Sequence, residues 1–161
     1  VGMKGSFPCH VKIFKDQQSL SEDKTIPEAI LSYQFNKEGI IVFDRGVSSR
    51  KAYAKFINED LRFVTRVNTN IVYKELRKNK ILKRNNSGIR IKQDITVTLK
   101  DRNGVWMEKP LRLIKANIIE SKMEIYFLTN IEDVSSDEIA FIYKQRWDIE
   151  VLFKFLNKNL I

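Results

Sequence analysis

A chain of 161 residues with 43% apolar content is long enough for one domain with its own core, or for one domain carrying an insertion. A single Cys and a single His exclude an intrachain disulfide and a zinc site of the usual type, so any metal would be held by carboxylates, which suits magnesium or manganese. The net charge of +9 favours a polyanionic partner; no apolar run reaches the roughly 18 to 20 residues of a membrane span, no secretory signal opens the chain, and a reducing cytoplasm is expected.

The first predicted element is a strand over about 7–14, where Val11, Lys12 and Ile13 alternate as in a half-buried strand. His10 on it reads as a structural histidine, and Cys9 as a small buried apolar residue. Thr25 and Glu28 have capping-box spacing, and Pro27 suits a first helical turn, so a helix is predicted over about 26–34. "GIIVFDRG" follows. Its apolar run, Ile40 to Phe43, predicts a strand covered on both faces that ends abruptly at Asp44. In layered α/β folds functional groups collect where strands end. Asp44 also fits the blander role of a turn residue before Gly46.

"SSRKAYAKFINED" offers a serine cap with Tyr53, Phe56 and Ile57 at helical spacing, and "LRFVTRVN" alternates as a strand. Strand, helix and strand in such short succession predict a crossover between parallel neighbours. From 71 to 130 the chain becomes basic and strand-rich, with a turn at "DRNG" (101–104) and strands near 111–118 and 124–129. This reads as a β-rich insertion, 71–130, between a core portion at 1–70 and a closing helical segment at 131–161. Between Lys74 and Arg102, ten bases, Lys83 and Arg84 among them, face three acids, a net +7. That is the footprint of a phosphate-backbone binder or of a solvated basic surface. Trp106, beside the turn, is placed either to stack on a base or simply to pack.

The last helix is predicted over about 137–159. It is opened by a capping box of Ser135 and Glu138, and Asp137 complements its dipole. On a helical wheel Tyr143, Arg146, Glu150, Lys154 and Asn157 share a sector of about 80°. Phe141, Ile142, Ile149, Leu152, Phe153, Leu156 and Leu160 fall at roughly 160° to 280° and are expected to form the core stripe. Trp147 lies off that stripe and is expected to pack beneath the insertion. Glu150 and Lys154 also make an ordinary i,i+4 pair.

"YKQRWDIE" resembles the tyrosine–arginine–glutamate motif of DDE transposases of the bacterial insertion-sequence-four group, with Tyr143, Arg146 and Glu150 at matching positions. "IIVFDRGVSSRKAY" is similar to that family's segment around the second aspartate and places Asp44 there. The resemblance implies an α/β fold with a ribonuclease H-like mixed sheet flanked by helices. It implies Asp44 and Glu150 as catalytic metal ligands for Mg2+ (Mn2+ as substitute), and DNA, both element ends and target, as the partner. Two-metal phosphoryl transfer would be the chemistry of the intact protein. Arg146 would meet phosphate through its planar fork, with Tyr143, Lys154, Lys158, Trp106, Lys83 and Arg84 as further DNA contacts.

There are two departures. The motif's lysine position falls on Asn157, with Lys158 next to it. The family's first aspartate has no match, since Asp16 lies after the strand that matches the family's second. The expectation is therefore that the chain starts after the first catalytic aspartate, lacks the first core strand and is inactive alone. The gap left in the sheet would suit another chain, making a homodimer a further expectation. A non-catalytic DNA-binding remnant and a magnesium-dependent nuclease of the same fold are the alternatives.

Overall fold

The computed structural model describes residues 22–32, 38–82 and 88–159, with side chains over 25–32, 38–82 and 88–147. The strand expected at 7–14, Lys83 and Arg84 lie outside the described residues. Glu150, Lys154 and Lys158 lie on described helical backbone, but their side chains fall outside it.

The elements run α1 (Glu22–Ser32), β1 (Ile40–Phe43), α2 (Arg50–Asn58), β2 (Arg62–Val67), β3 (Tyr73–Lys78), β4 (Ile89–Leu99), β5 (Leu111–Ile118), β6 (Glu124–Thr129) and α3 (Ser136–Asn159). The six strands form one mixed sheet in the order β1-β2-β6-β5-β4-β3, an α/β architecture of the ribonuclease H-like kind. β1 and β2 are parallel, with Phe43 opposite Thr65, as the crossover through α2 requires. All other pairings are antiparallel. The strands of the basic 71–130 stretch continue the sheet, because β6 returns to pair with β2.

Strand alternation builds two apolar layers. On one face Phe63, Val67, Leu113 and Leu128 pack with Phe43 and with Tyr53 and Phe56 of α2. On the other, Val64, Ile114, Ala116 and Phe127 pack with Ile139, Ala140 and Tyr143 of α3. Adjacent residues 63 and 64, and 113 and 114, point to opposite layers, as period-2 geometry demands. The rings of Phe43, Tyr53, Phe56 and Phe63 lie with centroids 5.6 to 6.4 Å apart. Such pairs add about 0.5–1.5 kcal/mol each beyond their burial, and here they seat α2 behind β1.

Several expectations need correction. α1 starts at Glu22, so Thr25 lies inside the helix instead of capping it. β1 is less covered than its apolar run implied: Ile40, Ile41 and Val42 are half-buried and only Phe43 is buried. Among the described strands β1 sits at a sheet edge, which is the reason. The largest correction concerns α3. Tyr143, Ile139 and Ala140 are buried, whereas Phe141 is 50% exposed. The sector assigned to polar groups is therefore the one that faces the sheet over the first half of the helix. The wheel weighed apolar residues along the whole length, and those beyond 147 dominated the stripe. Trp147 packs edge-on to Tyr143 with centroids 5.8 Å apart, on the core side.

The start of α3 follows the sequence reading. Glu138 Oε2 accepts from the Ser135 backbone N–H at 3.0 Å and from its hydroxyl at 2.7 Å, while the Glu138 N–H donates to Ser135 Oγ at 3.3 Å. This reciprocal box satisfies helix N–H groups that would otherwise lack partners.

Candidate active site

Asp44 stands one residue beyond the C-terminal end of β1. Its loop is tied down from behind: the Tyr53 hydroxyl of α2 donates to the Val47 carbonyl at 2.7 Å, and Val47 is fully buried. α3 crosses the opposite sheet face and reaches the same strand end. The buried Tyr143 donates its hydroxyl to Asp44 Oδ1 at 3.0 Å. Arg146 donates from Nη2 to Oδ2 at 3.3 Å, and its guanidinium lies 5.1 Å from the centre of the Tyr143 ring. The backbone N–H of Arg45 supplies a third contact, 2.7 Å from Oδ1. Residues 99 and 102 positions apart thus meet at one carboxylate.

The electrostatics follow from this geometry. Burial alone pushes the Asp44 carboxyl up. The Arg45 N–H, the Tyr143 hydroxyl and the positive charges of Arg146 and Arg66 outweigh it, and hold the group below the ordinary carboxylate range. Asp44 is therefore anionic at neutral pH and remains 41% exposed. Burial, together with the adjacent Asp44 charge, pushes the Tyr143 hydroxyl up to about 12, against the opposing influence of Arg146. Tyr143 is accordingly a fixed donor.

Two helical periods govern the site's remainder. Arg146 follows Tyr143 by three residues, and Glu150 follows Arg146 by four. Positions at such spacing share a helix face. As a metal ligand, Asp44 fits in kind: it is an ionised, half-exposed oxygen donor, the type hard divalent cations take. Among the described residues no group of three His, Cys, Asp or Glu side chains comes together. Glu150, the second carboxylate expected from the sequence, has its side chain outside the described residues.

Other predicted contacts fall elsewhere. Trp106 is 41% exposed beside its turn, with the Lys100 ammonium 5.5 Å over its ring. The turn itself is held by Asp101, whose Oδ1 accepts from the N–H groups of Asn103 and Val105, and by Gly104 at φ +82°, a conformation glycine adopts without cost. No described helix is long and apolar enough to cross a membrane.

A polar network that the sequence reading missed supports the site from the side. Asp94 and Arg112, from neighbouring strands, form a buried bidentate pair. Asn79 donates to Asp94 at 2.9 Å. Arg112 also donates to the carbonyls of Ile131 and Val134, immediately before the α3 cap. The pair thereby fixes the entry of the helix that brings Tyr143 and Arg146 to Asp44.

Comparison with known proteins places the chain in a family. Residues 2–160 match the model of the transposase DDE domain, and the chain belongs to that family, whose members use divalent metal and act on DNA. Among similar proteins, one named as the transposase y4zB of Sinorhizobium fredii is 29% identical over 119 residues, 74% of this chain and 33% of its own length. Another, named as the transposase for insertion sequence element IS4SA of Synechocystis sp., is 30% identical over 125 residues, 77% of this chain and 33% of its own length. The chain thus spans about one third of the length of these relatives.

Proposed function

We propose that this chain supplies part of a transposase catalytic centre, in which Asp44 and Glu150 hold a divalent cation that acts on a DNA phosphodiester. One observation carries the reading: Tyr143 and Arg146, two of the motif residues, meet at Asp44. The helical period places Glu150 one turn further along the same face. The cation's contribution when bound would be to neutralise charge on the phosphate and to activate the attacking oxygen.

The chain's own residues do the rest. Asp44 stays ionised because Tyr143, Arg45 and Arg146 favour its charged form. Tyr143, buried and neutral, orients Oδ1 together with the Arg45 N–H, so a ligand would approach through Oδ2, which also accepts from Arg146. Arg146, with 17% of its side chain exposed, is the motif residue we assign to a phosphate oxygen. Trp106, Lys154 and Lys158, with Lys83 and Arg84, are proposed as outlying DNA contacts. On this reading residues 71–130 are an insertion between the strand pair that ends in Asp44 and the helix that carries Glu150. No residue of the 161 matches the family's first aspartate, so this chain alone is expected to leave DNA uncut.

The test is a manganese titration of the chain followed by the spin relaxation of the free ion. Binding that is lost in both Asp44→Asn and Glu150→Gln supports a shared site. Binding that survives either substitution would mean the two carboxylates do not share an ion.

A further inference from the structure

The two oxygens of Asp44 are held unequally. Oδ1 accepts from the Arg45 N–H at 2.7 Å and from the Tyr143 hydroxyl at 3.0 Å. Both donors are anchored, since one is main chain and the other belongs to a fully buried side chain. Oδ2 meets Arg146 Nη2 at 3.3 Å, which is long for a charge-assisted bond, usually about 2.7–2.9 Å. The Arg146 and Asp44 side chains stay 17% and 41% exposed. The Arg112–Asp94 pair shows what a permanent ion pair looks like in the same molecule. There the carboxylate is fully buried, the contact is bidentate, and Arg112 is held besides by the Ile131 and Val134 carbonyls. Arg146 also has a second seat. Its guanidinium lies 5.1 Å from the centre of the Tyr143 ring, a cation–π platform that remains when Oδ2 is released.

We propose that Arg146 is a gate on Asp44: it occupies Oδ2, the oxygen a divalent cation needs, until a phosphodiester draws its guanidinium away, so that cation and phosphate bind cooperatively. The inference rests on the reading of Asp44 as a metal ligand and adds how that site is regulated. Charge supplies the reason. The positive charges of Arg146 and Arg66 both act on Asp44, so a divalent cation arriving alone meets repulsion as well as a carboxylate. The planar guanidinium fork suits phosphate as well as carboxylate. A phosphate oxygen therefore takes over the hydrogen bond and the charge of Arg146 together, and a lone pair of Oδ2 is released. Without DNA, Arg146 stands in for the cation's charge, so that Asp44 is neither left unpaired nor open to stray ions. Linkage makes the effect reciprocal: the factor by which the anion tightens the cation is the factor by which the cation tightens the anion.

The test is a manganese titration of the full chain with and without dimethyl phosphate, the phosphodiester probe, at constant ionic strength and matched free manganese. The parent is expected to bind manganese at least about fivefold more tightly when the probe is present. Arg146→Gln removes the gate. Without the probe it should bind manganese at least about fivefold more tightly than the parent, and the probe should then add nothing. A merely structural Arg146 would give the opposite result, weaker binding in the variant. Asp44→Asn added to Arg146→Gln should abolish the gain, because the gain comes from Oδ2. Unchanged or weaker binding in Arg146→Gln, a gain that survives Asp44→Asn, a parent indifferent to the probe, or no manganese bound by either chain would each overturn the proposal. Glu150→Gln decides the shared-site reading separately. A gain in Arg146→Gln that needs Asp44 but not Glu150 would keep the gate and remove the shared cation.

Discussion

The Tyr143 hydroxyl lies 3.0 Å from Asp44 Oδ1, which joins a helix to a strand end 99 residues earlier in the chain. The bond does two jobs. It aims a carboxylate, and it helps keep that carboxylate charged. Tyr143→Phe retains the ring that packs on Phe127 and Trp147 but removes the donor. The Asp44 pKa should rise, as read by carboxyl carbon NMR, with a stability loss of about 1 kcal/mol for one hydrogen bond. An unchanged Asp44 titration would show that the hydroxyl does not support the charge.

Asp44 also sets a pH dependence. Its folded pKa lies below 3.8, its value in the absence of the fold. The native state therefore binds fewer protons than the unfolded state in that acid window. The stability Asp44 contributes is fully present above about pH 4 and is lost as pH falls through the folded pKa. Asp44→Asn should flatten the acid limb of a urea-unfolding profile while leaving its neutral region parallel to the parent.

Tyr143 acts at the other extreme. Its folded pKa is about 12 against an ordinary 10.0, so the native state holds the proton longer. The resulting stability is present below pH 10 and declines as pH rises toward 12. In an ultraviolet titration of the chain, Tyr143→Phe should delete a component that ionises late, near pH 12.

Most local signals in the sequence were accurate, the Thr25–Glu28 box being the exception because α1 starts earlier, at Glu22. The Ser135–Glu138 box, the parallel β1 and β2, and the turn at 101–104 all depend on residues within a few positions of one another, or on the length of a crossover. What the sequence hid were contacts between distant stretches. The inward face of α3 was misjudged because Tyr143 reads as polar on a wheel, although its hydroxyl finds a partner on β1's end and its ring goes into the core. Asp94 was counted as one of three acids in a basic stretch, with nothing nearby in the chain to mark Arg112 as its partner. The proposed Asp44–Glu150 pairing rests on motif resemblance, since each acid alone has an ordinary structural explanation.

Asp94 and Arg112 offer a test of how α3 is positioned. Removing one partner from a buried ion pair strands the other charge and costs about 3–5 kcal/mol. Asp94→Asn should therefore destabilise strongly. Asp94→Leu combined with Arg112→Met should recover part of the loss, yet release the 131–134 loop. Hydrogen exchange at the first turn of α3 should then accelerate in the double variant even where global stability is regained.

The cap is a milder lever. Ser135→Ala removes one member of the reciprocal box and should lower stability by about 1 kcal/mol in equilibrium unfolding. Because Tyr143 lies two turns into the helix, its bond to Asp44 should persist, and the tyrosine titration should be unaltered.

The most direct measurement is a crystal structure of the chain soaked in manganese, with the ion located by its anomalous signal. The account predicts that the Asp44 and Glu150 carboxylates converge within reach of one cation, with oxygen–metal distances of about 2.1 Å where the ion binds. Carboxylates directed to different faces of the sheet, with no common ion between them, would contradict it.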